Sequence, residues 1–167
     1  MKNIVLVGFM GTGKTLTGKL LAGRLNRKRI SLDEMIEKKA GQAISDIFSR
    51  HGEEYFRRLE KDIVNSLPVN KSMIIDAGGG VVIDEDNVKR LKQGGVIICL
   101  KARPEVIYER TKSGNSRPLL NTPDPVKSIK ELLAARASFY DRADYSIDTS
   151  DLTPDEVVNE ILNVLKI

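Results

Sequence analysis

Residues Gly8 to Thr15, GFMGTGKT, set three glycines, a lysine and a threonine in the spacing G-x-x-x-x-G-K-[ST]. Glycines at 8, 11 and 13 let backbone N–H groups converge on a phosphate, and a helix starting behind them adds the positive end of its dipole. Lys14 then reaches the outer phosphates, and the Thr15 hydroxyl is a hard oxygen suited to Mg2+. Gly11, Thr12, Gly13 and Leu16 complete the nucleotide-binding set. An apolar run, NIVLVG (3–8), precedes the segment and an amphipathic one follows it, which is the strand–loop–helix context the motif requires. The chemistry is binding of a nucleoside triphosphate. No NKxD is present to read guanine, since VNKS (69–72) has serine where aspartate is needed, and the chain is too short for a large motor ATPase. A small kinase fits.

A kinase needs an acceptor site, and three charged positions break the surface pattern. Arg136 lies three residues after Leu133 and four before Tyr140, on the apolar stripe Val126, Ile129, Leu133, Ala137, Tyr140 of a helix. Glu60 lies in the same way between Phe56 and Ile63 or Val64, with Arg57 three residues before it. An inward arginine needs an anion, and Glu60 can orient Arg57; a structural ion pair at the core margin accounts for the periodicity equally well. Asp33 stands between a short strand and a helix, where it can cap the helix or meet an acceptor hydroxyl as a base. A further carboxylate, Asp76, ends the run MIID just before Ala77 and the triple glycine Gly78 to Gly80. Three glycines exceed what a turn requires, so the backbone there is approached closely.

These residues need a scaffold, and the pattern along the chain provides one. Strands are expected at 3–8, 29–31, 72–76, 96–100 and 145–148, the last at a sheet edge. Helices are expected at 14–25, with Leu16, Leu20, Leu21 and Leu25 along one side, and at 34–40, ending at Gly41. Others are expected at 44–66 with a break near HGEE, and at 84–92, 104–111, 125–142 and 154–165. Alternation of this kind predicts a parallel sheet covered by helices on both faces, with ligands at the carboxyl ends of the strands. The segment 111–124, TKSGNSRPLLNTPD, has no periodicity and reads as a functional loop, often a lid.

The chain has 167 residues, 41% apolar and 30% charged, which suits one domain with a sizeable core. No apolar run reaches the length of a membrane span, and the first strand starts too early for a signal peptide. A lone Cys99 within VIICL reads as a buried thiol, and the cytoplasm is the expected compartment. One histidine and one cysteine exclude the usual zinc sites. The net charge of +4 is spread along the chain with 5% aromatic residues, so anionic small molecules explain it and nucleic acid is not expected. The densest basic cluster, NRKRI (26–30), reads as a solvated helix end.

GFMGTGKT, LDEMIEKKAGQAISDIF, GEEYFRRLE, AGGG, SRPLL and ARASFY occur in the order and spacing of shikimate kinases, and the resemblance spans essentially the whole chain. It implies a three-layer α/β/α P-loop kinase fold of the nucleoside-monophosphate-kinase type, built on a five-stranded parallel sheet. Residues 1–167 would form a single domain, with a mobile lid at about 112–124 and a substrate-binding helical region at about 33–61. The implied reaction moves the γ-phosphate of ATP, with Mg2+, to the 3-hydroxyl of shikimate. It gives shikimate 3-phosphate and ADP on the route to aromatic amino acids. By the same resemblance Asp33 binds the shikimate hydroxyls and acts as base, and Arg57 and Arg136 clamp the carboxylate. Gly78, Gly79 and Gly80 lie under the ring, Gly79 donating its N–H. Arg117 closes over the phosphates beside Lys14, Arg110 and Pro154 sandwich adenine, and the enzyme acts as a monomer without a nucleic-acid or membrane partner.

The chain departs from the family pattern in three places. Where the family commonly has D-x-D at the end of the second strand, this chain has SLD, with Ser31 in the metal-holding position. Where the family commonly has serine or threonine two residues before the triple glycine, this chain has Asp76. We therefore read Asp76, with Thr15, as holding the metal, the carboxylate having changed strands; the alternative is that Asp76 only accepts hydrogen bonds from the glycine turn. The region after IDTSD also lacks the arginine some members direct at the nucleotide. The competing functions are a related small-molecule kinase, such as a gluconate kinase, and a degenerate binding protein without catalysis.

Overall fold

The computed structural model describes residues 2–113 and 122–167. Its centre is β1 (Asn3–Val7), a run of five buried residues. Both faces of this strand are covered, so from Ile4 to Val7 an unbroken apolar run replaces the alternation of a half-exposed strand. Ile4 and Leu6 face α1 (Lys14–Leu25) and α7 (Pro154–Leu165), while Val5 and Val7 face the larger helical layer on the other side. That layer holds α2 (Leu32–Ala40), α3 (Ile44–Ser66), α4 (Glu85–Gly94), α5 (Pro104–Thr111) and α6 (Pro125–Tyr140). The remaining strands are β2 (Arg29–Ser31), β3 (Ile74–Asp76), β4 (Gly95–Lys101) and β5 (Tyr145–Asp148). All pairings are parallel and the order is β2-β3-β1-β4-β5. The chain winds one way from β1 to β3 and the other way to β4 and β5. The carboxyl ends of β1 and β3 therefore flank the switch point, where a ligand crevice belongs.

Local chemistry sets the element ends. Asn3 accepts from the N–H groups of Met73 (3.0 Å) and Lys71 (3.2 Å) and donates to the Pro68 carbonyl (2.8 Å). This bracket holds the turn before β3, where Asn70 and Ser72 have positive φ, so β3 begins at Ile74 and not at 72. The expected break in α3 falls at Gly52, whose φ of 79° is non-helical. Arg90 donates to the Asn65 and Leu67 carbonyls at the far end of that helix. Cys99 is buried on β4, and burial pushes its thiol up to about 11.

Two expectations about packing are corrected. The buried side of α1 is Thr17, Gly18 and Leu21, and Leu16 is 50% exposed. An N-terminal helical turn that borders a ligand cavity frees position 16 from the core. Nor is NRKRI wholly a solvated helix end. Helix α1 stops at Leu25, and Arg29 belongs to β2 with its side chain only 14% exposed.

Candidate active site

A cavity of about 460 Å³ opens at the carboxyl ends of β1, β2 and β3. The phosphate loop forms one wall. Gly8, Gly11 and Gly13 all have positive φ. Their glycine identity is doubly required at Gly8 and Gly11, where a Cβ would run into the Leu100 carbonyl and the Thr111 methyl group respectively. Thr12 is buried beneath the loop and donates its hydroxyl to the Phe9 carbonyl at 2.8 Å. Gly13 precedes α1 in a left-handed conformation, and no side chain caps the helix. The first N–H groups of α1 are thus available to an anion. Lys14 donates to the carbonyls of Gly8 (2.8 Å) and Phe9 (2.9 Å), so its ammonium lies over the loop it serves.

The opposite wall carries the carboxylates. Ser31 caps α2, its hydroxyl accepting from the Glu34 N–H at 3.4 Å, which relieves Asp33 of the capping role. Asp33 is left in the first turn, open to the cavity. Enclosure by the walls, and then the negative charge of Asp76, raise its carboxyl above the usual range; Lys14 opposes them. Asp76 ends β3 directly across from Ser31, which ends β2. In a parallel pair such partners project from the same face, so the serine and the aspartate of the altered positions are neighbours. Asp76 is 7% exposed and accepts from Arg29 at 2.7 Å.

The triple glycine and two arginines form the third side. At Gly78 a Cβ would make only ordinary contacts with Asp33 and Glu60, 3.5 Å away. At Gly79 it would lie 2.7 Å from the Gly8 carbonyl oxygen, and at Gly80 it would overlap the Arg57 guanidinium. At Gly79 the obstacle is backbone, so glycine is demanded there by the protein's own packing before any ligand enters; at Gly80 it is the end of the flexible Arg57 side chain, which can shift. Arg57 donates to Glu60 at 2.9 Å and to Glu53 at 3.1 Å. Glu60 is 2% exposed, and burial raises its carboxyl while Arg57 pulls it back. Arg136 lies over the Phe9 ring, 5.6 Å from its centroid. Beside it the Tyr140 hydroxyl is buried, and burial raises its pKa while the neighbouring Arg136 guanidinium opposes the rise. Arg142 ties α6 to the 3₁₀ turn Val81–Ile83 through the Val82 (3.0 Å) and Ile83 (3.1 Å) carbonyls, which brings Arg136 to the glycines.

One family model, that of shikimate kinase, matches residues 10–166. The chain belongs to the shikimate kinase family. A shikimate kinase of Thermodesulfovibrio yellowstonii is 50% identical over 162 residues, 97% of this chain and 94% of that protein. One from Caldanaerobacter subterraneus is 51% identical over 162 residues, 97% of this chain and 95% of that one. Among solved structures, shikimate kinase from Acinetobacter baumannii in complex with shikimate superposes with a TM-score of 0.91 at 35% identity, covering 99% of this chain and 93% of that one. The five-stranded parallel α/β fold is thus that of the P-loop kinases of this family.

The structure gathers Gly11, Gly13, Lys14, Thr15, Leu16, Asp33, Asp76, Gly78, Gly79, Gly80 and Arg136 around one cavity. Arg57 comes in behind Gly80. Arg110 lies outside the lining of this cavity, donating to the Thr149 carbonyl (2.7 Å) and hydroxyl (3.0 Å), while that hydroxyl donates to the Thr12 carbonyl (3.1 Å). Pro154 opens α7 just beyond, behind a Thr153–Glu156 capping box. Arg117 and most of the expected lid lie outside the described residues. Sequence reasoning missed Arg29, Thr149 and Arg142. For Thr149 the signal available was a short polar side chain directly after a strand, where loops and ligands meet; Arg29 and Arg142 carried none.

Proposed function

We propose that this chain transfers the γ-phosphate of ATP to the 3-hydroxyl of shikimate, as one domain over residues 1–167 with a substrate-binding region at about 33–61 and a lid at about 112–124. One observation carries the assignment of roles: Asp33, released from capping by Ser31, faces the same cavity as Lys14 and the uncapped N-terminus of α1. The phosphate loop and Lys14 hold the nucleotide phosphates and neutralise charge as the P–O bond to ADP lengthens. Asp33 accepts the proton of the attacking hydroxyl, whose oxygen forms the new bond to phosphorus. Its raised pKa brings its basicity closer to that task than an ordinary carboxylate's. Arg136 and Arg57 bind the substrate carboxylate, Glu60 keeping Arg57 in orientation, and the glycine strip lets the ring approach. Arg110 and Pro154 flank the adenine, and Arg117 covers the phosphates.

The donor set fits Mg2+, which supplies charge neutralisation of the nucleotide phosphates when bound. Thr15 and Asp76 are hard oxygen donors on the cavity wall, and the like charges of Asp33 and Asp76 there are ones a cation would relieve. Among the described residues no group of three acidic, His or Cys side chains could hold a metal alone, which suits an ion bound mainly by phosphates and water. We further assign the enzyme to the cytoplasm, a reading that the single buried cysteine supports, and take it to act as a monomer. Among the described residues no helix is long and apolar enough to cross a membrane.

Coupled measurement of ADP release tests the assignment. Release is expected with shikimate and Mg2+, and not with gluconate or without acceptor. Equal release with gluconate would point to the related sugar-acid kinases, and absence of release with either acceptor would point to a binding protein.

A further inference from the structure

Asp76 lines the cavity, but the cation bound to it does not. Arg29 is not among the cavity-lining residues, and its Nη2 donates to Asp76 Oδ2 at 2.7 Å. Arg29 and Ser31 are two residues apart on β2 and share its α1 face, and Asp76 is the register partner of Ser31. The arginine therefore starts one strand repeat back and runs forward along the sheet. Its stem passes the Gly18 face of α1, where a Cβ would come within 3.5 Å of Nε and 3.7 Å of Cδ. Both partners are secluded, at 14% and 8% exposure. Arg29 Nε is buried with no acceptor among the described residues, and the one further acidic contact, to the exposed Glu34, is 3.5 Å long. The guanidinium gives up hydration and one N–H bond in a placement whose short contact is the Asp76 carboxylate.

We propose that Arg29 is a positioning residue for the metal: it pins one oxygen of Asp76 so that the carboxylate presents its other oxygen to the hydrated cation at the phosphate cradle. The proposal rests on the assignment of Asp76 to Mg2+. It also explains how a carboxylate can serve from β3 when its usual strand carries Ser31. A carboxylate at the end of β3 must be held in one orientation, and an arginine from the neighbouring strand, outside the cavity lining, holds it. Partners of this outer kind typically change metal affinity by about 10- to 100-fold when removed.

The test uses Mn2+ as a probe, bound to the complex of the whole enzyme with ADP and followed by electron paramagnetic resonance, with shikimate turnover against Mg2+ concentration measured beside it. Arg29→Met keeps the stem and removes the charge. It is expected to weaken Mn2+ binding by about tenfold or more and to raise the Mg2+ requirement, with ADP affinity measured without metal unchanged. Arg29→Lys, which keeps a donor, should recover part of the loss. A purely structural arginine would alter melting temperature without altering Mn2+ affinity. Unchanged Mn2+ binding in Arg29→Met, or tighter binding as expected of a competing cation, would overturn the proposal. Asp76→Asn separates the two assignments. If it weakens Mn2+ binding while Arg29→Met does not, only the role of Arg29 fails; if neither does, the assignment of Asp76 to the metal fails and the proposal with it. Should Arg29→Met not fold, Arg29→Lys decides on the same readout, since a shorter, non-planar donor must still loosen the carboxylate.

Discussion

Removing the Arg57 side chain deletes two things at once, and the structure allows them to be separated. Arg57 is held by Glu60 at 2.9 Å, and Glu60 is 2% exposed. Breaking a buried ion pair from one side costs about 3–5 kcal/mol when the orphaned charge stays charged. Here the cost is smaller, because Arg57 is itself 27% exposed and because burial already raises the Glu60 carboxyl, so that it can take up a proton. We expect Arg57→Ala to lose about 2–3 kcal/mol at pH 8, or about 5–10 °C in melting temperature for a chain of this size. The sign of the pH dependence follows. Without Arg57, the opposing attraction is gone and the folded-state pKa of Glu60 rises further above its unfolded value. A raised pKa contributes stability below the unfolded value that is lost as pH rises through the folded one, so the deficit should shrink from pH 8 to pH 5. Arg57→Ala with Glu60→Gln should recover most of the stability at pH 8. Neither variant should recover shikimate binding, which loses a charged hydrogen-bond partner worth about 1.5–3 kcal/mol, or about 10- to 150-fold in Kd. Differential scanning fluorimetry across pH and titration calorimetry with shikimate measure the two effects. A melting deficit that is equal at pH 5 and pH 8 and untouched by Glu60→Gln would refute the ion-pair argument, and unchanged shikimate affinity would refute the clamp.

Asp33→Asn should lower turnover by about 10²- to 10⁴-fold, the usual range for a general base, and leave ATP binding intact. Because the Asp33 carboxyl is raised by enclosure and by Asp76, its charge costs stability at neutral pH; the variant should melt no lower than the parent at pH 8, with any gain vanishing as pH falls through the raised value. A melt far below the parent's would restore the capping role to Asp33. Asp76→Ser alone should lose Mg2+-dependent turnover, and adding Ser31→Asp should restore much of it, since aspartate also caps helices and the two positions are register partners; normal Mg2+ dependence in Asp76→Ser would end the exchange idea. Gly79→Ala should cost about 1–3 kcal/mol by forcing the strip off the Gly8 carbonyl, whereas Gly78→Ala should fold nearly as well as the parent and fail in shikimate affinity instead. Comparable melting losses for both would contradict the contacts described.

The order of strands and helices was legible because each element carries its own signal. After Asn3, the run IVLV is wholly apolar because β1 is covered on both faces, the phosphate loop announces itself by glycine spacing, and Gly41 ends α2 at a φ of 68°. The inward charges Glu60 and Arg136 were visible as breaks in a helical stripe, a local pattern of period 3.6. What the tertiary structure alone decided is which groups meet across elements. A short strand such as RIS has no period to show that its arginine turns along α1 to an aspartate 47 residues away. Ser31 and Asp33 compete for one cap, and only the backbone conformation assigns it to Ser31 and frees Asp33 for the cavity. The triple glycine reads from sequence as room for a ligand, yet at Gly79 and Gly80 the space is already taken by the Gly8 carbonyl and the Arg57 guanidinium. Local preference fixes where elements begin and end; register between parallel strands, joined only through long crossovers, fixes which side chains share a site.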